Sequence, residues 1–296
     1  MTDSAVDFSV IIPAYNEAGT IATVLERLTA HLTTMGKVYE VLVVSDGATD
    51  TTADVVRAVG GAVRLIEHPY NVGNGAAVKT GIRQARGAVV VFMDADGQHA
   101  PEDLERLLAD CDRYDMVVGA RGPESHAGWH RRLANGIYDF LASYVTGQQV
   151  EDLTSGFRAM RRDVARRFIS LLPNRYSYPT TITLCFMRAG FSVKYTRIKA
   201  AERQGGKSGI RLISDGTEFL LIISKICMLF SPLKIFLPVS FYLLLMGIGY
   251  YGYTFLTAHR FTNMSMLLFT TSVIVLMMGL IAEQIAQMRF ERSEDG

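Results

Sequence analysis

The 296-residue chain lacks the features that mark several common protein classes. Its three cysteines, Cys111, Cys185 and Cys227, are an odd set with no C-x-x-C spacing, so neither a disulfide framework nor a zinc site is expected and a reducing cytoplasm fits. It has no excess of charge of either sign. Thirty Lys plus Arg against 29 Asp plus Glu leave a net charge of +1, which removes the general electrostatic reason to expect nucleic acid as a partner. Internal repeats and low-complexity tracts are missing. At the N-terminus, which carries Asp3 and Asp7, the apolar run Phe8 to Ile12 is too short for the core of a secretory signal. The soluble part is therefore expected to stay in the cytosol.

Two local absences of charge point the other way. Ile235 to Ala258 spans 24 residues without a formal charge and Phe261 to Ala282 spans 22, each long enough as a helix to cross a hydrocarbon core of about 30 Å. Everything before about Lys207 has the mixed polarity of a soluble domain. Lys225 and Lys234 before the first span, with Arg289 and Arg292 after the second, outnumber Arg260 in the short connection, which places both ends in the cytoplasm by the positive-inside bias. Between domain and spans, Ile210, Leu212, Ile213, Phe219 to Ile223, Ile226 and Leu229-Phe230 alternate with Lys207, Arg211, Asp215, Glu218 and Lys225. This pattern suits helices lying in the membrane interface, with packing on the soluble domain as the alternative.

Short β-branched runs at Phe8 to Ile12 and Glu40 to Val44 end at Pro13 and at Asp46-Gly47 and read as buried strands. Between them Ile21, Val24, Leu25, Leu28 and Leu32 recur at helical spacing, with Asn16 or Thr20 as the expected cap. The alternation continues with a helix from about Thr51, a strand at Val63 to Ile66, a helix from about Gly75, a strand at Ala88 to Met93 and a helix after Pro101. Such β-α repetition predicts an α/β domain with a mainly parallel sheet and flanking helices, whose ligands bind beyond the carboxyl ends of the strands. Asn16-Glu17, Asp46 to Asp50 and Asp94 to Gln98 each follow a predicted strand, so three acidic clusters should meet at one edge. In Asp94-Ala95-Asp96 both carboxylates can reach one hard divalent cation that keeps sites for phosphate oxygens. Gly73-Asn74-Gly75 followed by Asp94 superficially copies a dinucleotide fingerprint, but Val78 stands where the third glycine belongs.

Six words in order resemble the family 2 glycosyltransferases of the A-type fold, in the dolichyl- or polyprenyl-phosphate mannose or glucose synthase branch. They are Pro13-Ala14-Tyr15-Asn16-Glu17, Val44 to Asp50, Asn71-Val72-Gly73-Asn74-Gly75, Asp94 to Gln98, Gly119-Ala120-Arg121 and Asp152 to Arg158. The resemblance implies a cytoplasmic glycosyltransferase domain over 1–206, interfacial amphipathic helices over 207–233, two transmembrane helices over 234–288 and a cytoplasmic tail over 289–296. It implies inverting transfer of one hexose from a nucleotide-sugar, of GDP-mannose or UDP-glucose type, to polyprenyl or dolichyl phosphate at the lipid bilayer. The alternatives are another lipid or glycan acceptor, or a non-catalytic nucleotide-sugar-binding membrane protein. A homo-oligomer stays open.

By position, Pro13, Ala14, Tyr15, Glu17, Asp46, Gly73, Asp94, Ala95 and Asp96 would line the nucleotide-sugar site, with Asp46 bonded to the base. Asp94, Asp96 and Gln98 would hold Mg2+ or Mn2+. Arg121, Arg132, Arg203 and Ser155 would receive the acceptor phosphate, with Arg131 as the alternative to Arg132. Asp152 would serve as a base or would orient an arginine or the metal; Asp94, Asp96, Asp152 and Arg121 form the expected catalytic set. A lipid phosphate is already anionic and needs positioning more than a base. Two positions depart from the family, which usually has Asp where Ser45 stands and Ser where Ala48 stands, so the base identity is open. The Q-x-x-R-W word of processive synthases is missing and Trp129 is the only tryptophan, which favours single-sugar transfer.

Overall fold

A computed structural model of the chain describes residues 6–122, 136, 139–140, 142–144, 146–175, 178–198 and 231–294. The expected interfacial stretch from Lys207 to Phe230, together with Arg131, Arg132 and Arg203, lies outside the described residues. The chain divides into two compact units, Met1–Arg211 and Leu212–Gly296.

The first unit carries a seven-stranded sheet among the described residues, in the order β3-β2-β1-β4-β6-β5-β7. Its strands are β1 (Phe8–Ala14), β2 (Tyr39–Ser45), β3 (Val63–Glu67), β4 (Val89–Phe92), β5 (Met116–Arg121), β6 (Arg158–Arg161) and β7 (Val193–Ile198). Helices α1 (Ile21–Thr34), α2 (Thr52–Val59), α3 (Asn74–Gln84) and α4 (Pro101–Leu108) alternate with the first strands, and α5 (Arg162–Arg167) and α6 (Tyr178–Arg188) follow β6. The near-continuous apolar character of β1 and β2 has a physical cause. Both are central and parallel, so Val10, Ile11 and Ile12 are buried against helices on both faces. The residues that α1 buries, Ile21, Val24, Leu25, Leu28 and Leu32, are those that set its periodicity.

Two features of the topology position a site. Chain order reverses at β1, which pairs with β2 on one side and β4 on the other, so a crevice opens where those strands end. Strand β6 is the exception to the parallel arrangement. It runs antiparallel between β4 and β5, with Arg158 opposite Phe92. Its reversed direction brings the residues entering it, Ser155 to Phe157, to the edge where β4 delivers Asp94. The expected cap is corrected: Thr20 occupies the N-cap position of α1 but makes no side-chain cap bond. Its hydroxyl instead donates to Ala95 O at 3.0 Å. Asn16 adopts a left-handed backbone (φ 56) and its Oδ1 accepts from Thr49 N at 2.8 Å.

The second unit holds α7 (Leu233–Ala258) and α8 (Asn263–Glu294). Both are long and apolar enough to cross a membrane. Leu233 N donates to Glu283 Oε2 at 3.1 Å and Ser240 Oγ to Ser272 O at 3.0 Å, contacts that make the pair an antiparallel hairpin. Helix α8 continues past the uncharged stretch that ends at Ala282, because the helical backbone carries on into the polar residues beyond it. Leu237, Phe241, Leu245, Leu267, Ile274 and Met278 are exposed on the hairpin. Apolar surface so uncovered is unfavourable in water and suits lipid.

Helix α3 approaches β1 closely. A Cβ at Gly81 would overlap Ile11 Cγ2, whose side chain is fully buried. Gly81→Ala should therefore cost about 1–3 kcal/mol through overpacking and lower the thermal midpoint by several degrees. An unchanged midpoint in detergent-solubilised protein would show that the α3–β1 contact is looser than described.

Candidate functional site

A cleft of about 440 Å3 opens at the carboxyl edge of the sheet. Pro13, Ala14, Tyr15 and Glu17 line it from the end of β1, Asp46 from β2, and Asp94, Ala95 and Asp96 from β4. Gly73 lines it as well, so all the expected nucleotide-sugar residues come together. Asn71, Asn74 and Arg175 complete the wall. A second cavity of about 360 Å3 shares Tyr15 and Asn71 and adds Ser45, Ala48 and Tyr70. The rings of Tyr15 and Tyr70, 45% and 68% exposed, offer flat apolar surfaces there.

Asp46 is less available than the sequence suggested. It is 2% exposed, and its Oδ1 accepts from His68 Nδ1 at 2.7 Å and Val72 N at 3.1 Å. Its Oδ2 accepts from Gly73 N at 2.7 Å. These bonds make Asp46 the anchor of the Val72-Gly73 turn, leaving little of its acceptor capacity for a ligand.

Asp94 and Asp96 sit on the turn after β4. Gln98 N donates to Asp96 Oδ1 at 3.1 Å, which shapes the turn around Gly97. Asp94 has His99 Nε2 at 3.4 Å from its Oδ2, and the buried His99 ring stacks on Phe157 with centroids 4.8 Å apart. Burial pushes the Asp94 carboxyl up, but His99 and the guanidinium groups of Arg121 and Arg158 outweigh it and hold the group below its usual range. Gly156 stands against it; a Cβ there would lie 2.7 Å from Asp94 Oδ2. No group of three or more His, Cys, Asp or Glu that could hold a metal occurs among the described residues. Two carboxylates fit the binding style of Mg2+, which usually takes one or two protein carboxylates plus substrate phosphates and waters.

Arg121 ends β5 and forms a fork on Asp152. Its Nε donates to Asp152 Oδ2 at 2.9 Å and its Nη2 to Oδ1 at 3.0 Å, with a further bond from Nη2 to Thr154 Oγ1 at 2.7 Å. Asp152 also accepts from Arg121 N, Thr154 N, Thr154 Oγ1 and Ser155 N at 3.0–3.2 Å. Burial raises the Asp152 carboxyl, yet Arg121 and the loop amides hold it below its ordinary range. A carboxylate so depressed and so fully bonded is a weak proton acceptor, and the geometry makes it the counterion that aims Arg121. Ser155 is fully buried, and its Oγ finds no hydrogen-bond partner among the described residues. Below it lies the fully buried Arg158, whose Nε and Nη2 donate to Ser155 O and whose Nη1 donates to Pro179 O and Thr183 Oγ1, both at 2.7 Å.

Residues 9–169, more than half of the chain, match the profile of Glycosyl transferase family 2, and residues 231–288 match the GtrB C-terminal hairpin. The chain belongs to glycosyl transferase family 2. Among curated relatives of this family 2 member, the undecaprenyl-phosphate 4-deoxy-4-formamido-L-arabinose transferase of Edwardsiella ictaluri (strain 93-146) is 30% identical over 204 residues. That match covers 68% of this chain and 62% of the relative, less than two thirds of its length. The Pseudomonas aeruginosa (strain LESB58) protein of the same name is 26% identical over 296 residues, covering 95% of this chain and 85% of the relative. The fold is shared with glucosyl-3-phosphoglycerate synthase from Mycobacterium tuberculosis, crystallised with Mn2+, UDP and glucosyl-3-phosphoglycerate. That structure has a TM-score of 0.59 and 20% identity, over 76% of this chain and 80% of the other.

Sequence reasoning did not single out His99, Arg158 or Arg175. His99 directly follows the Asp94 to Gln98 word and Arg158 closes the Asp152 word, so adjacency could have flagged both. Arg175 carried no such signal, and it lies beyond the stretch that matches the family.

Gly156→Ala should push the Asp94 carboxylate aside without unfolding the domain. The expected result is a loss of Mn2+ affinity of about 10- to 100-fold, the size of effect seen when groups that orient metal ligands are altered. Paramagnetic resonance of free Mn2+ measures it; wild-type affinity would mean that Asp94 does not bind the ion from this position.

Proposed function

We propose that this family 2 member transfers a single hexose, with inversion, from a nucleotide-sugar to a polyprenyl phosphate at a membrane surface. The observation that carries the reading is the convergence at one sheet edge of the Asp94–Asp96 turn and the Arg121–Asp152 fork, in a chain that also carries an apolar helical hairpin. The names of the curated relatives support a polyprenyl-phosphate acceptor. The donor we favour is of GDP-mannose or UDP-glucose type. The hairpin would hold the domain where only the phosphate head of a bilayer-bound lipid can enter, and the charge bias puts that domain on the cytoplasmic side.

In this reading Pro13, Ala14, Tyr15 and Glu17 orient the nucleotide, with the rings of Tyr15 and Tyr70 beside the base. Asp94 and Asp96, with Gln98 on the same turn, would hold Mg2+ or Mn2+, which supplies positive charge to the leaving diphosphate. Mn2+ in the Mycobacterium tuberculosis complex supports a divalent ion. An acceptor phosphate oxygen forms the new bond to the anomeric carbon as the bond to the diphosphate breaks on the opposite face. No proton has to leave the nucleophile. Arg121, held by Asp152, screens the incoming phosphate together with Arg132 and Arg203, and the fork geometry of Arg suits phosphate oxygens.

Transfer of labelled sugar from UDP-glucose and GDP-mannose to polyprenyl phosphate, followed by organic extraction, tests the reading. Asp96→Ala should cut the rate roughly 100- to 1,000-fold. Label passing instead to diacylglycerol or to a soluble glycan, or full activity of Asp96→Ala in excess chelator, would overturn it.

A further inference from the structure

The cleft has an uneven charge. Glu17, Asp46, Asp94 and Asp96 line it, and Arg175 is the one cation among its described lining residues. A nucleoside diphosphate entering it brings more negative charge and needs positive partners. In nucleotide-binding α/β folds the usual partner is the N-terminus of a helix that follows a glycine-rich turn. Here that helix is α3, behind Gly73-Asn74-Gly75.

Two amides of the α3 terminus are already committed to the chain itself. Gly75 N donates to Arg175 O at 3.2 Å and Ala76 N to Asn174 O at 2.8 Å. The glycines permit this approach. A Cβ at Gly73, whose φ is 120°, would lie 2.5 Å from Asn174 O, and one at Gly75 would overlap Pro173 O. Lys79 Nζ, from the middle of α3, donates to Leu172 O at 2.8 Å and pins the other end of the same loop. The segment that covers the helix terminus therefore carries Arg175 to the cleft wall on a fixed backbone. Its side chain is exposed, and its guanidinium makes no hydrogen bond or ion pair with the described residues.

We propose that Arg175 binds the diphosphate of the donor, taking the part that the α3 N-terminus would otherwise play. The inference rests on the nucleotide-sugar reading above and adds to it a donor-binding residue outside the stretch that matches the family. A planar guanidinium can take two phosphate oxygens at once.

Calorimetry on the full chain in detergent with Mn2+ tests it, using UDP and GDP, the matching monophosphates and the nucleosides as probes. Arg175→Ala should weaken the diphosphate that the wild type binds by about 10- to 100-fold, leave the nucleoside unchanged and leave the thermal midpoint in place. Arg175→Lys should recover part of the loss, and KM for polyprenyl phosphate should not move. Three results overturn the inference: unchanged diphosphate binding in Arg175→Ala, an equal loss for diphosphate and nucleoside, or a raised KM for polyprenyl phosphate with diphosphate binding intact. If the wild type binds neither UDP nor GDP, the nucleotide-sugar reading falls and the inference falls with it.

Discussion

The ion pair between Arg121 and Asp152 ties the end of β5 to the loop that enters β6, and the placement of Gly156 against Asp94 follows from it. Asp152 is 5% exposed, and burying two charges costs free energy that only close geometry and further hydrogen bonds offset. The bonds from Thr154 and Ser155 supply that compensation and fix the loop. Arg158 holds the next carbonyl from below. Gly156 then has one place to be, against the Asp94 carboxylate, which its missing side chain allows to stand there. Removing Arg121 would leave the Asp152 charge buried without its counterion, at a cost of about 3–5 kcal/mol. The worth of the pair lies in geometry: one guanidinium aimed beside one carboxylate-bearing turn.

The antiparallel β6 is what permits this convergence. If β6 ran with the other strands, the Asp152 to Arg158 word would enter the sheet at the opposite edge, far from Asp94. The reversal leaves no mark in the composition of the strand, which is only Arg158-Ala159-Met160-Arg161. Strands β1 to β4 were legible because each is an apolar run stopped by turn residues, and α1 because its buried residues keep helical spacing. Strand β5 is an equally apolar run, Met116 to Ala120, that went unread, whereas β6 and β7 are broken by Arg158, Arg161, Lys194 and Arg197 and gave no such pattern. The words at the strand ends located Asp94, Asp96, Arg121 and Asp152 correctly at one edge, since position after a strand decides that. They could not reveal which oxygens are already spent. The bonds that Asp46 makes to His68, Val72 and Gly73 could not be read from the sequence, and Arg175 went unseen because its loop meets the cleft only through long-range contacts with Gly73 and Gly75.

The hairpin follows a simpler logic. Its spans were legible from missing charge alone, and the Ser240–Ser272 bonds show how two apolar helices satisfy polar groups between themselves. On the proposed reading such a hairpin suits a domain whose acceptor is confined to a bilayer. A phosphate nucleophile would ask for aligned positive charge rather than proton removal, which a bonded, depressed carboxylate behind an arginine would meet.

Asp152, on the proposed reading, acts through Arg121 and takes no proton. The pH dependence of single-turnover transfer in wild type and Asp152→Asn tests it most directly. The rate for Asp152→Asn should be lower at every pH with the acidic limb at its wild-type position, because that limb belongs to another group, such as the acceptor phosphate, whose second ionisation falls near pH 6 in phosphate monoesters. If the acidic limb disappears in Asp152→Asn, Asp152 is the proton acceptor and does not act only by holding Arg121.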